Sequence, residues 1–150
     1  MKALDLTRRP PRRWTEQLGG IRWLPRLLDK TRAALAGTLG PYLYGQSPID
    51  RALLRRLGIG YRQFTAIVAK APDDAGVLAA LQASTPQGLE DARAWSATLP
   101  RMHRAFLFVL DLDDGYLSGG WHLLKAPTNV VANAFTRWLK RRFPSRAVDP

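Results

Sequence analysis

Apolar residues recur at helical spacing along most of the chain. In residues 21–35, the series Ile21, Leu24, Leu27/Leu28, Thr31 and Leu35 recurs every three or four positions, the spacing of one face of an α-helix. This pattern predicts an all-α protein, a single-domain helical bundle of about seven helices. The segments with this spacing are 21–35, 48–57, 61–70, 74–83, 86–99 and 128–142, and the apolar segment 100–115 is expected to add a further helix.

Local signals mark where several of these helices begin and end. Ser47-Pro48 and Thr85-Pro86 each place a capping residue before a proline at the first helical position, a combination typical of helix starts. Gly58 predicts the end of one helix, and Gly19-Gly20 predict a turn before another. The apolar run from Ala105 to Leu110 fits a strand or a buried helix, and its surroundings favour a helix.

The two ends of the chain differ from its middle. Residues 1–14 contain repeated arginines and the Pro10-Pro11 pair, which disfavours a helix and predicts an extended basic arm that lies on the surface without joining the core. Residues 15–122 form the predicted core. Residues 123–150 add a basic amphipathic helix that starts at Thr128, followed by a short tail.

The composition excludes several classes of protein. The chain has no cysteine, which rules out disulfides, thiolate zinc ligands and thiol catalysis. Its first residues lack the apolar core of a signal peptide, and no apolar run approaches the length of a membrane span. We therefore expect a cytoplasmic protein without a transmembrane segment.

The net charge of +11 is concentrated at the two ends of the sequence. Such a distribution attracts polyanions, and arginines interleaved with aromatic residues, as in RRPPRRW and TRWLKRRF, suit phosphates and stacked bases. An ordinary solvated basic surface is the alternative interpretation. The candidate nucleic-acid contacts are Arg12, Arg13, Arg22, Arg26, Lys30, Arg137, Lys140, Arg141 and Arg142.

Residues 5–59 contain an ordered series of motifs. They include LGG, then LPRLLDKTRAALAGTLG, then two tyrosines, and finally a helix ending in LGI. A second block, residues 89–120, contains LEDARAWSATL and LDLDDGYLSGG. Together these blocks resemble a bacterial family described as domain of unknown function 5069. The resemblance implies kinship without implying an activity, and the segment from Leu123 onward looks like an addition to it.

Two groups of residues are candidates for chemistry. Asp29, Tyr42, Tyr44 and Asp50 lie within the first block and would supply the polar groups of a pocket if the fold brought them together. The plainer interpretation of Asp29 is an ion pair with Arg26 on the same helix. The second group is Asp111, Asp113, Asp114 and His122, which we interpret as a structural turn held by local backbone amides rather than as a metal site.

No catalytic or nucleotide-binding signature accompanies these candidates. The chain lacks G-x-S-x-G and the glycine patterns of phosphate loops, so we predict no cofactor. Three hypotheses remain open. The first is a non-enzymatic binding protein for an acidic partner such as nucleic acid; the second is an enzyme or small-molecule-binding protein with a pocket near residues 26–50. The third is a helical adaptor that docks on a protein partner or an anionic membrane through Phe135, Trp138 and Leu139.

Overall fold

A computed structural model of the chain describes residues 4–117 together with Ala134, Arg137, Trp138 and Arg141. These residues confirm the all-α prediction, with six helices against the seven or so expected; the predicted helix at 128–142 lies outside the described residues except at those four positions. No described helix is long and apolar enough to cross a membrane. The elements are β1 (Gln17–Leu18), β2 (Ile21–Arg22), α1 (Leu24–Leu35), α2 (Pro48–Leu57), α3 (Tyr61–Lys70), α4 (Asp74–Ser84), α5 (Pro86–Met102) and α6 (Arg104–Asp113).

The predicted helix boundaries follow from local chemistry. The Ser47 side chain accepts a hydrogen bond from the backbone N–H of Asp50 (3.4 Å), and Gly58 ends α2 in the left-handed conformation, as expected. Pro86 begins α5, but the Thr85 hydroxyl donates back to the carbonyl of Leu81 rather than capping α5. That part of the prediction was wrong because Thr85 also ends α4.

The predicted turn at Gly19-Gly20 is the tip of a short hairpin. Leu18 pairs with Ile21 in antiparallel register, and both glycines have positive φ angles of 58° and 80°, which a tight two-residue hairpin requires. Arg93 on α5 donates from Nε to the carbonyl of Gly19 (2.6 Å). The hairpin is thereby fixed to the longest described helix.

Helix α1 lies at the centre of the molecule. Every residue from Leu24 to Ala33 is buried; α1 packs on α3, while α5 packs on α2, α4, α6 and the hairpin. An amphipathic helix normally leaves one polar face in water. Because α1 is covered on all sides, its charged side chains must find partners inside the protein.

The N-terminal arm is more closely integrated than we predicted. Residues 4–16 form neither helix nor strand, as expected. Leu6, however, is 2% exposed, and its N–H donates to the carbonyl of Thr38 (3.0 Å). The prediction that the arm stays outside the core was wrong because Leu6 supplies an apolar side chain that the charge pattern of the arm obscured.

Candidate functional site

The four charged residues of α1 are all buried. These residues are Arg26, Asp29, Lys30 and Arg32. Arg22, another of the candidate nucleic-acid contacts, precedes the helix in β2 and is half-buried. The signature of the first sequence block therefore forms the centre of a network of internal ion pairs.

Lys30 and Asp50 form the most deeply buried of these pairs. Lys30 Nζ lies 2.6 Å and 2.5 Å from the two carboxylate oxygens of Asp50. The indole Nε1 of Trp23 donates to Asp50 Oδ1 (2.8 Å). Burial lowers the pKa of Lys30 from its ordinary value, and the Asp50 charge opposes this shift. One carboxylate thus joins α2 to α1 and to the residue preceding α1.

The backbone of Trp23 is strained at this point. Its φ angle of 71° makes it the one non-glycine residue with positive φ among the described residues, and this conformation is costly for a bulky side chain. Trp23 also precedes the first turn of α1, where its carbonyl accepts a hydrogen bond from Leu27 N (2.9 Å). The strained backbone places the indole close to both cations, with Lys30 Nζ 5.6 Å and the Arg26 guanidinium carbon 5.5 Å from the ring centre.

Arg26 also lies against the Trp23 ring. Its guanidinium carbon lies 5.5 Å from the centre of the Trp23 ring and 5.6 Å from that of Tyr42, within the range of cation–π attraction. Nη1 of Arg26 lies 2.7 Å from Asp114 Oδ2, and the Tyr42 hydroxyl donates to Asp114 Oδ1 (3.0 Å). Arg26 therefore holds the segment that follows α6 and the loop that follows α1.

Asp29 pairs with the N-terminal arm rather than with Arg26. It accepts hydrogen bonds from the Arg12 backbone N–H (2.8 Å) and from Arg12 Nη2 (2.8 Å). Arg12 Nη1 and Arg32 Nη1 donate to opposite oxygens of Asp74 at 2.6 Å and 2.5 Å. Burial acts to raise the pKa of Asp74, but these two arginines outweigh it and lower the pKa below the ordinary value.

The predicted in-helix pair between Asp29 and Arg26 was therefore wrong. A surface pair at this spacing has little stabilising effect, whereas Arg12 offers Asp29 several hydrogen bonds, including one from the backbone. Arg26 Nη1 also donates to the carbonyl of Arg12 (3.3 Å). The arm is consequently clamped to two successive turns of α1.

A second clamp joins the arm to α6. Arg13 donates from Nη2 and Nε to the two oxygens of Asp111 (2.6 Å and 3.1 Å), and the indole Nε1 of Trp14 donates to the same carboxylate (3.0 Å). The hydrogen bond with Asp111 raises the pKa of Arg13. Trp14 thus anchors the arm to the core.

The aspartate-rich turn acts through distant cations. Asp111 and Asp114 hold arginines from the arm and from α1, whereas we predicted that local amides would hold them. Within the part of the chain that the structure describes, no three His, Cys, Asp or Glu side chains cluster as metal ligands would. His122, the fourth candidate, lies outside the described residues.

Tyr44 is buried beside this network without entering it. Its hydroxyl and that of Thr65 are hydrogen-bonded at 2.6 Å, and its ring meets Tyr61 edge to face at 5.2 Å. The Tyr61 hydroxyl donates to the carbonyl of Ser47 (3.2 Å), the residue that caps α2. These two tyrosines join α3 to the start of α2.

The candidate pocket residues are connected but mutually engaged. We call Arg26, Lys30, Asp50, Asp114, Trp23 and Tyr42 the charged core. Asp29 reaches it through Arg12, and Tyr44 lies beside it. Asp29 and Asp50 each hold their own cation instead of sharing a proton. A ligand would have to displace one of these partners, so the arrangement suits a role in stabilising the fold better than acid–base catalysis.

A further group of exposed cations lies on α2 and α3, outside the nominated nucleic-acid contacts. Between Asp50 and Asp73 the chain has five cations and no acid. We call four of them, Arg51, Arg55, Arg56 and Arg62, the basic face; all are exposed. Arg51 and Arg55 are four residues apart and share one stripe of α2. The exposure of these arginines could have been predicted from the sequence. Because Leu53, Leu54 and Leu57 face the core, the arginines between them must face solvent.

The nine nominated nucleic-acid contacts separate into four groups. Arg12, Arg13, Arg26 and Lys30 are held in internal ion pairs. Arg22 is half-buried, whereas Arg137 and Arg141 are exposed. Lys140 and Arg142 lie outside the described residues.

Comparison with known proteins agrees with the motifs. The family model described as "Domain of unknown function (DUF5069)" matches residues 8–105. This match begins within the arm and ends at the start of α6, so it covers the whole of α1 and α2. No curated protein matches the chain. Since the match spans well over half of the sequence, the chain belongs to the DUF5069 family.

Proposed function

We propose that this protein binds nucleic acid through the basic face of α2 and α3 and has no catalytic role. The observation that carries the proposal is the continuous exposure of Arg51, Arg55 and Arg56 on one helix, without an acidic residue between Asp50 and Asp73. The planar guanidinium of arginine is well suited to paired hydrogen bonds with phosphate.

The internal ion pairs strengthen this proposal. The cations Arg12, Arg13, Arg26, Lys30 and Arg32 pair with five aspartates, which cancels their charge inside the protein. The whole net charge of +11 is therefore carried by the remaining groups. A field of this kind draws a polyanion toward the surface and gives affinity without base specificity.

The proposal also defines the mode of binding. Arginines on the outer side of a short helix contact phosphates, and contacts of this type position a nucleic acid without reading its sequence. We therefore infer binding to the backbone, in the cytoplasm, with little preference among sequences. The alternative of a ligand pocket near residues 26–50 is less well supported, because Asp29 and Asp50 are already paired with Arg12 and with the buried Lys30.

Fluorescence anisotropy with labelled duplex DNA, single-stranded DNA and RNA, at low and near-physiological salt, tests this proposal. The triple variant Arg51→Gln/Arg55→Gln/Arg56→Gln should weaken binding at least about tenfold, because several charge-assisted hydrogen bonds are lost. The slope of log affinity against log salt should become shallower by about 0.9 for each duplex-phosphate contact removed.

A matched control removes the same charge from other surfaces. Arg9, Arg101 and Arg104 are also exposed, and replacing these three with glutamine lowers the net charge by the same amount. The control should weaken binding much less than the α2 variant. Equal losses of affinity in the two variants would show that net charge, and not the basic face, determines binding. An absence of binding at near-physiological salt would refute the proposed function.

A further inference from the structure

Helix α6 exposes a band of large apolar side chains. Phe106 is 51% exposed, Phe108 is 42% exposed and Val109 is 44% exposed; Met102, at the end of α5, is 62% exposed. At about 150–250 Å² for a large side chain, these fractions leave roughly 300–400 Å² of apolar surface in contact with water. This area matches the largest patch on a typical soluble monomer, and such patches are often contact surfaces for a protein or a membrane.

The exposed charges around this band are positive. Arg101, in the last turn of α5, and Arg104, in the first turn of α6, are both exposed and close to Met102 and Phe106 in the chain. The acidic residues of α6 are withdrawn from this surface, since Asp111 is buried against Arg13 and Asp113 is half-buried. Arg104 is therefore the one exposed charged residue of α6.

An anionic bilayer is the partner that fits both features. Helices that lie in a membrane interface combine a wide apolar side with arginines or lysines. Their apolar side chains enter the boundary between head groups and acyl chains, while the guanidinium groups remain with the anionic head groups. A second copy of this chain fits less well, because each copy has a net charge of +11 and like charges oppose self-association.

From these observations we propose that the outer side of α6 is a docking surface for an anionic lipid bilayer. Phe106 and Val109 enter the head-group boundary, and Arg101 and Arg104 contact the head groups. The ten residues of α6 are about 15 Å long, half of the hydrocarbon thickness, so the helix lies along the membrane. This docking surface shares no residue with the basic face, so each can be altered without changing the other.

Co-sedimentation of the full chain with lipid vesicles tests the apolar part of this surface. Phosphatidylcholine vesicles that contain about 30% phosphatidylserine should bind at least about tenfold more tightly than phosphatidylcholine alone. Phe106→Ser/Val109→Ser should weaken this binding at least about tenfold, because the apolar contribution is lost. Leu35→Ser, at an exposed leucine of α1, is the matched control and should leave the binding unchanged.

A second pair of variants tests the cations. Arg101→Gln/Arg104→Gln should weaken binding to the anionic vesicles by about fivefold for each arginine removed. Arg51→Gln/Arg55→Gln removes the same charge from the basic face and should have a much smaller effect. Equal losses in the two variants would show that net charge attracts the chain to the vesicles, and would overturn α6 as the docking surface.

The absence of cysteine allows a fluorophore to be placed at a single position. An environment-sensitive label on Val109→Cys should become brighter and emit at shorter wavelength when anionic vesicles are added, whereas the same label on Leu35→Cys should not. Far-UV circular dichroism of each variant establishes that the core remains folded.

Three results overturn the docking surface. The first is an absence of binding to anionic vesicles at near-physiological salt, and the second is binding that the serine substitutions leave unchanged. The third is a Val109→Cys label that is already shielded from water before vesicles are added. Shielding that increases with protein concentration would identify a second copy as the occupant, and shielding independent of concentration would identify another part of the same chain.

Discussion

At the scale of single residues, the Lys30–Asp50 pair shows most clearly how the fold depends on buried charges. Lys30 is 3% exposed and Asp50 is fully buried. Removing two charges from water is costly, and their attraction offsets the cost only when the remaining hydrogen-bonding capacity is used. Here Trp23 and Lys30 both donate to Asp50, so each charge depends on the other.

Replacing Asp50 alone should therefore be severe. Asp50→Asn keeps the shape but leaves the Lys30 ammonium buried without a countercharge, and we expect the free energy of unfolding to fall by about 3–5 kcal/mol. Urea denaturation followed by circular dichroism measures this change. The double variant Lys30→Met/Asp50→Leu should recover most of the loss, because it removes both charges together.

Asp91→Asn provides the matched control on an exposed carboxylate of α5. Its effect should stay within about 0.5 kcal/mol. If the double variant were as unstable as Asp50→Asn, the loss of stability would come from the changed side-chain shape. The unpaired charge of Lys30 would then not be its cause.

At this scale the sequence indicates local contacts and misses distant ones. Ser47 was correctly predicted as a cap because its partner, Asp50, is three residues away. Asp29 was assigned to Arg26 for the same reason, yet its partner is Arg12, seventeen positions earlier. Spacing along a helix shows which neighbours can meet, but it contains no information about a segment that returns from elsewhere in the chain.

At the scale of secondary-structure elements, the closest described approach involving a glycine joins α2 to α5. A Cβ placed on Gly88 would lie 2.5 Å from the carbonyl oxygen of Leu57 and 2.8 Å from its carbon. Both of these atoms belong to the backbone and cannot rotate away. The first turn of α5 thus rests directly on the end of α2, which also carries the basic face.

Gly88→Ala should force the two helices apart. We expect destabilisation of about 1–3 kcal/mol, the usual cost of overpacking, and a correspondingly lower Tm in a thermal scan. The matched control is Gly60→Ala, since a Cβ at Gly60 meets nothing within 4 Å and its φ of −90° is open to any residue. The control should shift stability by no more than about 0.5 kcal/mol; an equal loss in both variants would contradict the close-packing argument.

Helix positions were predictable because each helix buries a repeated apolar stripe. The hairpin was not, because strands of two residues are too short for an alternating pattern to be visible. The burial of α1 on every side was also missed. Arg26 and Lys30 were candidates for contact with nucleic acid, and only the folded chain brings Asp114 and Asp50 to them.

At the scale of the whole molecule, burial separates the protein into a neutral interior and a basic exterior. Arg12, Arg13 and Arg26 resemble nucleic-acid contacts in the sequence, but they hold the arm, α1 and α6 together. Of the nominated cations, Arg12, Arg13, Arg26 and Lys30 are engaged in ion pairs, whereas Arg137 and Arg141 are exposed. Distinguishing the two kinds of arginine required knowing which aspartates the fold encloses.

The tyrosines extend this separation to the response of the molecule to pH. Burial raises the pKa of all four tyrosines above the ordinary value, and the charge of Asp114 or Asp50 acts in the same direction on each of them. A phenol with a raised pKa keeps its proton in the folded state at pH values where the unfolded chain has lost it. Its contribution to stability is complete below about pH 10 and is lost as the pH rises through the folded-state value.

We therefore expect stability to fall steeply above about pH 10, by up to about 1.4 kcal/mol per pH unit for each tyrosine involved. Lys30 has the opposite effect. Its pKa is lowered in the folded state, so the unfolded chain binds one more proton there and stability increases as the pH rises toward about 10.5. Four phenols outweigh one ammonium. Tyrosinate absorbance during an alkaline titration should accordingly rise together with the loss of helical circular dichroism. Tyr42→Phe should make the decline of stability with pH shallower, because one proton fewer is released on unfolding. If the tyrosines ionised near pH 10 while the protein stayed folded, burial would not protect them and the expectation would be wrong.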